Sequence, residues 1–170
     1  MLPALTLILG GARSGKSRHA EALVTTLPPP WHYVATAEAY DEEMCERIAL
    51  HRARRDEGWV TTEAPLELPE CLAALGRGSA PILVDCLTLW LANVMLANRD
   101  VEAASGSIEA VLDEAKAPIV LVSNEVGLGI VPENALARRF RDEAGRLHQR
   151  LAARADRVLF MVAGLPMVVK

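Results

Sequence analysis

Eight consecutive residues, Gly10-Gly11-Ala12-Arg13-Ser14-Gly15-Lys16-Ser17, satisfy the pattern G-x-x-x-x-G-K-[ST] in full. An apolar run, Leu5–Leu9, enters the pattern, and a stretch with helical character, Ser17–Thr26, leaves it. Each residue type has a physical reason to be there. Glycines let successive backbone N–H groups turn into one concavity, a nest for anionic oxygens. The first turn of the helix adds a partial positive charge. The Lys16 ammonium reaches terminal phosphates, and the Ser17 hydroxyl is a ligand for Mg²⁺. The chemistry indicated is that of a nucleoside triphosphate site. A Gly-rich turn without a ligand is the bland alternative, and strand, full motif and helix together argue against it.

Such a loop needs an acid across from it, at the end of another apolar strand. Ile82-Leu83-Val84-Asp85 supplies one. Asp85 can hold Mg²⁺ or its water shell, or it can cap the helix that follows; spacing alone does not separate the two roles. His51 is the residue that a phosphate loop does not explain. On a helix, Arg47, Arg54 and Arg55 lie three or four positions from it and share its face. Those cations would gather phosphates and keep the imidazole neutral and nucleophilic. The competing reading is a solvated face whose arginines pair with Asp41, Glu42, Glu43 or Glu46. Ser123-Asn124-Glu125-Val126-Gly127-Leu128-Gly129 follows an apolar strand, where Asn124 and Glu125 can face reacting groups; an ordinary strand-to-helix turn is the alternative. His19 reads as a helix-surface residue, His32 as structural, and His148 as a surface or subunit-contact residue.

The elements that must position these groups alternate. Strands are expected at Leu5–Leu9, His32–Ala35, Trp59–Thr62, Pro81–Asp85, Ile119–Ser123, Arg157–Val162 and Met167–Val169. Helices are expected at Ser17–Thr26, Asp41–Arg55, Leu66–Leu75, Leu87–Ala97, Ile108–Ala115 and Pro132–Arg154, the last opening on a proline whose missing N–H costs little there. Asn98–Ser107, polar and small, reads as a surface loop. Strands separated by helices imply an α/β single domain, with a mostly parallel sheet flanked by helices. A length of 170 residues suits one such domain. Aromatics are only 4% within a hydrophobic fraction of 51%, so the core is expected to be Leu, Val, Ala and Ile, with packed helices favoured over a β-branched sheet.

The net charge of −4 argues against a general nucleic-acid binder, whereas arginine clusters on an acidic chain suit a small anionic ligand. Three scattered cysteines, Cys45, Cys71 and Cys86, form neither a disulfide framework nor a zinc motif, which suits a reducing, cytoplasmic setting. The apolar stretch Cys86–Ala97 is too short to span a bilayer.

Five segments then converge: Gly10–Glu21, Tyr33–Glu38, Asp41–His51, Val84–Asn93 and Ser123–Leu151. Together they resemble the bifunctional adenosylcobinamide kinase/adenosylcobinamide-phosphate guanylyltransferase family. The phosphate loop is common to many families; the SNEVGLGIVPEN segment and the His-Arg stretch are much more specific. The resemblance implies a RecA-like P-loop fold and two reactions on the corrinoid aminopropanol arm. The hydroxyl of adenosylcobinamide is phosphorylated from ATP or GTP, and GMP from GTP is then joined to that phosphate. It implies a guanylylated histidine at His51. It also implies nucleotide contacts at Gly10–Ser17, Ala35, Thr36, Ala37, Arg52, Ala53, Arg54, Arg55, Glu63 and Asp85, Mg²⁺ at Ser17 and Asp85, and a homotrimer. Asp56 stands where relatives often carry proline, and it can pair with Arg54 or Arg55. A single-function small-molecule kinase and an NTP-driven switch or assembly ATPase are the alternatives that the phosphate loop alone allows.

Overall fold

A computed structural model describes residues 2–37 and 57–170. The expected helix Asp41–Arg55, with Arg47, His51, Arg52, Ala53, Arg54 and Arg55, lies outside the described residues. Among the described residues, seven strands form one sheet: β1 (Leu5–Gly10), β2 (Trp31–Ala35), β3 (Trp59–Glu63), β4 (Ile82–Asp85), β5 (Ile119–Val122), β6 (Arg157–Val162) and β7 (Leu165–Val168). Their order is β3-β2-β4-β5-β1-β6-β7. Every pair is parallel except β6–β7, which is an antiparallel hairpin at the edge. The described helices are α1 (Lys16–Val24), α2 (Leu68–Leu75), α3 (Leu87–Leu96), α4 (Val101–Glu114) and α5 (Ala135–Arg154).

Central strands covered on both faces should read as near-continuous apolar runs, and they do. Leu5, Leu7, Ile82, Val84, Ile119 and Leu121 enter one core with side chains of α2, α3, α4 and α5. Ile8, Leu83, Val120 and Val122, the intervening residues, enter a second core with Ala20 and Val24 of α1. This alternation is the period of two that a strand imposes. The core thus contains a buried sheet rich in Ile and Val, contrary to the helix-dominated packing that the composition suggested. Among the described residues, ring contacts fall at the β2–β3 edge, where Trp31 and Trp59 lie 5.5 Å apart.

Two helix boundaries differ from the sequence reading for the same reason, side-chain capping. The segment expected as a loop over Asn98–Ser107 is helical from Val101. Asp100 accepts from the Ala103 N–H at 3.1 Å, and Val101, Ser105 and Ile108 turn inward. Small residues there permit close packing rather than disorder. The last helix begins at Ala135, not Pro132, because Asn134 accepts from the N–H groups of Leu136 (2.8 Å) and Ala137 (3.1 Å). The carbonyls of Pro132 and Glu133 accept instead from the Arg138 guanidinium.

Candidate active site at the carboxyl ends of the strands

Parallel register brings the strand ends into one row. Glu63 pairs with Ala35, Ala35 with Asp85, Asp85 with Val122, and Val122 with Ile8 of the strand that leads into the loop at Gly10. The loop after β5 therefore lies between Asp85 on one side and the phosphate loop on the other.

The phosphate loop owes its path to two glycines. Gly10 is buried, and a Cβ there would meet the Met161 carbonyl oxygen at 2.7 Å. Gly15 has φ +93°, and its Cβ would stand 3.2 Å from the Gly164 Cα. The β6–β7 turn is thus packed against the loop, and its Gly164 N–H donates to the Ser14 carbonyl at 3.0 Å. Gly11, Ala12 and Arg13 are exposed, and Arg13 adopts φ +53°. Lys16 turns back on the loop, its Nζ donating to the Gly11 carbonyl at 2.5 Å. Burial lowers the Lys16 pKa, opposed by Cys86 and Asp85 nearby. Phosphate oxygens beside the amine would favour its charged form.

Asp85 is not the cap of α3; that position is Cys86, with no side-chain cap bond. Instead the Tyr33 hydroxyl donates to Asp85 Oδ2 at 3.0 Å, fixing the carboxylate at the strand end. Ser17, in the first turn of α1, and Asp85 are both oxygen donors. One or two protein oxygens are what a phosphate-borne Mg²⁺ ordinarily takes, so the two residues fit that ion. Among the described residues no three His, Cys, Asp or Glu side chains gather as a metal cage.

Thr36 has a structural task. Its hydroxyl donates to the Cys86 carbonyl (2.7 Å) and accepts from the Cys86 N–H (2.9 Å), while its carbonyl accepts from Asn93 Nδ2 at 2.9 Å. It is fully buried. It latches the end of β2 to the end of β4, leaving partly exposed Ala35 and Ala37 and exposed Glu63 on the surface of that row.

The SNEVG segment holds a cluster that the sequence did not announce. The Glu125 N–H donates to the Gly10 carbonyl at 3.0 Å, tying this loop to the first residue of the phosphate loop. Its Oε1 accepts from the Gly127 N–H at 2.5 Å, and Arg141 donates to the Gly127 carbonyl at 2.7 Å. Asn124 points to Thr88, its Nδ2 lying 3.3 Å from Oγ1. His148, expected at the surface, is 7% exposed. Its Nε2 lies 2.7 Å from Ser123 Oγ, and its Nδ1 lies 3.9 Å from Glu125 Oε2. Burial lowers its pKa, with Glu125 opposing. A signal was present: Ala144, Leu147, His148 and Leu151 are the buried positions of α5, spaced as a core-facing stripe.

Comparison with known proteins agrees with this geometry. The family model described as cobinamide kinase / cobinamide phosphate guanyltransferase matches residues 6–169. The chain is 53% identical over 167 residues to the bifunctional adenosylcobalamin biosynthesis protein CobP of Pseudomonas aeruginosa, covering 96% of each. It is 41% identical over 181 residues to CobU of Salmonella typhimurium, covering 98% of this chain and 99% of that one. Among solved structures, the RadB recombinase superposes with a TM-score of 0.57 at 17% identity, over 94% of this chain and 74% of that one. That likeness is one of fold, a RecA-like P-loop sheet. Among the described residues no helix is long and apolar enough to cross a membrane. The match over nearly the whole length makes the chain a member of the cobinamide kinase / cobinamide phosphate guanyltransferase family.

Proposed function

We propose that this chain phosphorylates the aminopropanol hydroxyl of adenosylcobinamide from ATP or GTP, and then joins GMP from GTP to that phosphate through a guanylylated His51. The observation that carries the reading is the phosphate loop Gly10–Ser17, set beside Asp85 at the strand ends in a chain that matches the family over residues 6–169.

Phosphoryl transfer to an alcohol requires in-line positioning and neutralisation of charge. The loop amides and Lys16 grip the phosphates, and Ser17 and Asp85 hold Mg²⁺. Mg²⁺, when bound, screens the phosphate charge. Ala35, Ala37, Glu63, Arg52, Ala53, Arg54 and Arg55 complete the nucleotide contacts, and Thr36, fully buried, holds the strand ends in place beneath them. Nucleotidyl transfer through histidine divides one displacement into two, each at the α-phosphorus. In the first, His51 attacks and pyrophosphate leaves. In the second, the cobinamide phosphate attacks and the histidine leaves. The enzyme acts in the cytoplasm as a homotrimer, an assembly that would cover apolar side chains exposed in this chain, such as Ile130 and Leu165.

The test uses GTP labelled at the α-phosphate, followed by denaturation. An acid-labile, alkali-stable protein label is expected, absent in His51→Ala, while His51→Ala still converts cobinamide to its phosphate. Folded, nucleotide-binding protein that takes no label would overturn the guanylyltransferase reading.

A further inference from the structure

The kinase step needs a group to receive the proton of the alcohol, and the loop after β5 carries two carboxylates, the exposed Glu133 beside α5 and Glu125, whose own N–H is bonded to the phosphate loop at Gly10. Glu125 stands between Asp85 and the phosphate loop in strand order, and its backbone is bonded to Gly10. Its side chain is 22% exposed, so it is held yet reachable. One hydrogen bond holds the side chain, and two further groups frame it. Oε1 closes the turn to Gly127. Arg141 of α5 secures that turn through the Gly127 carbonyl. His148 of α5 faces Oε2 with Nδ1.

His148 is an expensive choice for that position. It occupies the core-facing stripe of α5, where an apolar side chain would pack without polar atoms to satisfy. A buried neutral imidazole has one donor and one acceptor. Ser123, itself 0% exposed, meets Nε2 at 2.7 Å, and Glu125 is what Nδ1 faces. Ser123 Oγ and His148 Nε2 share one hydrogen bond, and the carboxylate 3.9 Å from Nδ1 favours the tautomer in which Nδ1 carries the hydrogen and Nε2 accepts. The chain Ser123–His148–Glu125 therefore begins in the core and ends at the mouth of the phosphate loop. Ser123 is too deep to touch a substrate.

We propose that Glu125 is the general base of the kinase step and that His148, anchored by Ser123, is the residue that positions it. The proposal rests on the reading that this chain phosphorylates cobinamide. In the step, the alcohol oxygen forms a bond to the γ-phosphorus while the bond from that phosphorus to the β–γ bridging oxygen breaks. The alcohol proton passes to Glu125 Oε2 and is later released to water, and the nucleoside diphosphate departs. The attack of His51 on the α-phosphorus involves no alcohol, so Glu125 and His148 are dispensable for it.

Four proteins test this: wild type, Glu125→Gln, His148→Gln and His148→Asn. Asparagine keeps an amide near Nδ1, facing Glu125; glutamine carries its amide to the Nε2 position, facing Ser123. Melting temperature and GTP binding confirm folding of each. In Glu125→Gln, kcat for cobinamide phosphorylation is expected to fall about 100-fold, the lower end for loss of a general base. In His148→Gln a fall of about tenfold is expected, at unchanged KM for the nucleotide. His148→Asn restores most of kcat, and the α-phosphate label on the protein forms at the wild-type rate in all four. Wild-type kcat in Glu125→Gln overturns the base assignment. Wild-type kcat in His148→Gln, or equal losses in the two His148 variants, overturns the positioning role, as does a parallel loss of labelling, which would mark a structural defect. Wild-type protein that takes the label but never phosphorylates cobinamide sinks the kinase reading itself, and the proposal with it.

Discussion

His148 has a consequence for stability that is separable from catalysis. Burial lowers its pKa in the folded chain, with Glu125 opposing. In the unfolded chain it titrates near its ordinary value of about 6.5. Below that value the unfolded state binds a proton that the folded state refuses. Stability is therefore full above the unfolded pKa and declines as pH falls from there through the folded pKa, by at most about 1.4 kcal/mol per pH unit for one histidine. His19 contributes in the same direction, its pKa also lowered by burial and then by Arg157. Urea unfolding at pH 7.5, 6.5 and 5.5 should show wild-type stability dropping across the lower interval. His148→Asn should flatten that drop while leaving a residual slope from His19. Parallel slopes in the two proteins would show that His148 is not held neutral.

Among the elements, α4 opens on a single side-chain cap. Its first turn follows a polar, small stretch and is fixed by Asp100 accepting from Ala103 N–H. Asp100→Ala should cost about 1 kcal/mol, the ordinary penalty for an orphaned helix N-terminus, measured as a lower urea midpoint at unchanged slope. Asp100→Asn, which keeps the acceptor, should cost much less. This helix also shows where the sequence was hard to read. Strands β1, β4 and β5 are near-continuous apolar runs, broken only by Thr6 within β1 and ended by Asp85 in β4, legible because burial on both faces leaves a strong local signal. Residues 98–107 carry few apolar residues, and their helicity comes from one cap and from packing against distant elements. The site divides in the same way. Gly10–Ser17 was legible because a nest for phosphate is built from consecutive residues. The Tyr33–Asp85, Thr36–Cys86 and Ser123–His148 contacts join residues 52, 50 and 25 positions apart, and no local pattern encodes them. His148 was half legible: its spacing placed it with the buried positions of α5, but its surrounding arginines suggested a surface.

At the scale of the molecule, the strand order places β5 between β4 and β1, so Asp85, Glu125 and the phosphate loop lie together at the carboxyl ends of the central strands. A nucleotide bound there touches the ends of strands far apart in sequence and should stabilise the whole domain through mass action. At free ligand about 100 times Kd, linkage gives about 2.7 kcal/mol. For a chain of this size that corresponds to a rise in Tm of about 5–10 °C. With GTP and Mg²⁺ at fixed protein concentration, wild type should show such a rise. Lys16→Ala should show little of it at the same nucleotide concentration, because the ammonium proposed to meet the terminal phosphates is gone. If Ser17 and Asp85 hold Mg²⁺ as proposed, chelating the ion should shrink the rise in wild type, because the nucleotide then loses that link and Asp85 repels its phosphates. Asp85→Asn separates the two contributions. It removes the repulsion and an ion ligand together, so its Tm in GTP should depend on Mg²⁺ less than that of wild type. If wild type and Asp85→Asn respond to chelation equally, Asp85 serves the Tyr33 contact alone, and the metal role passes to other residues of the site.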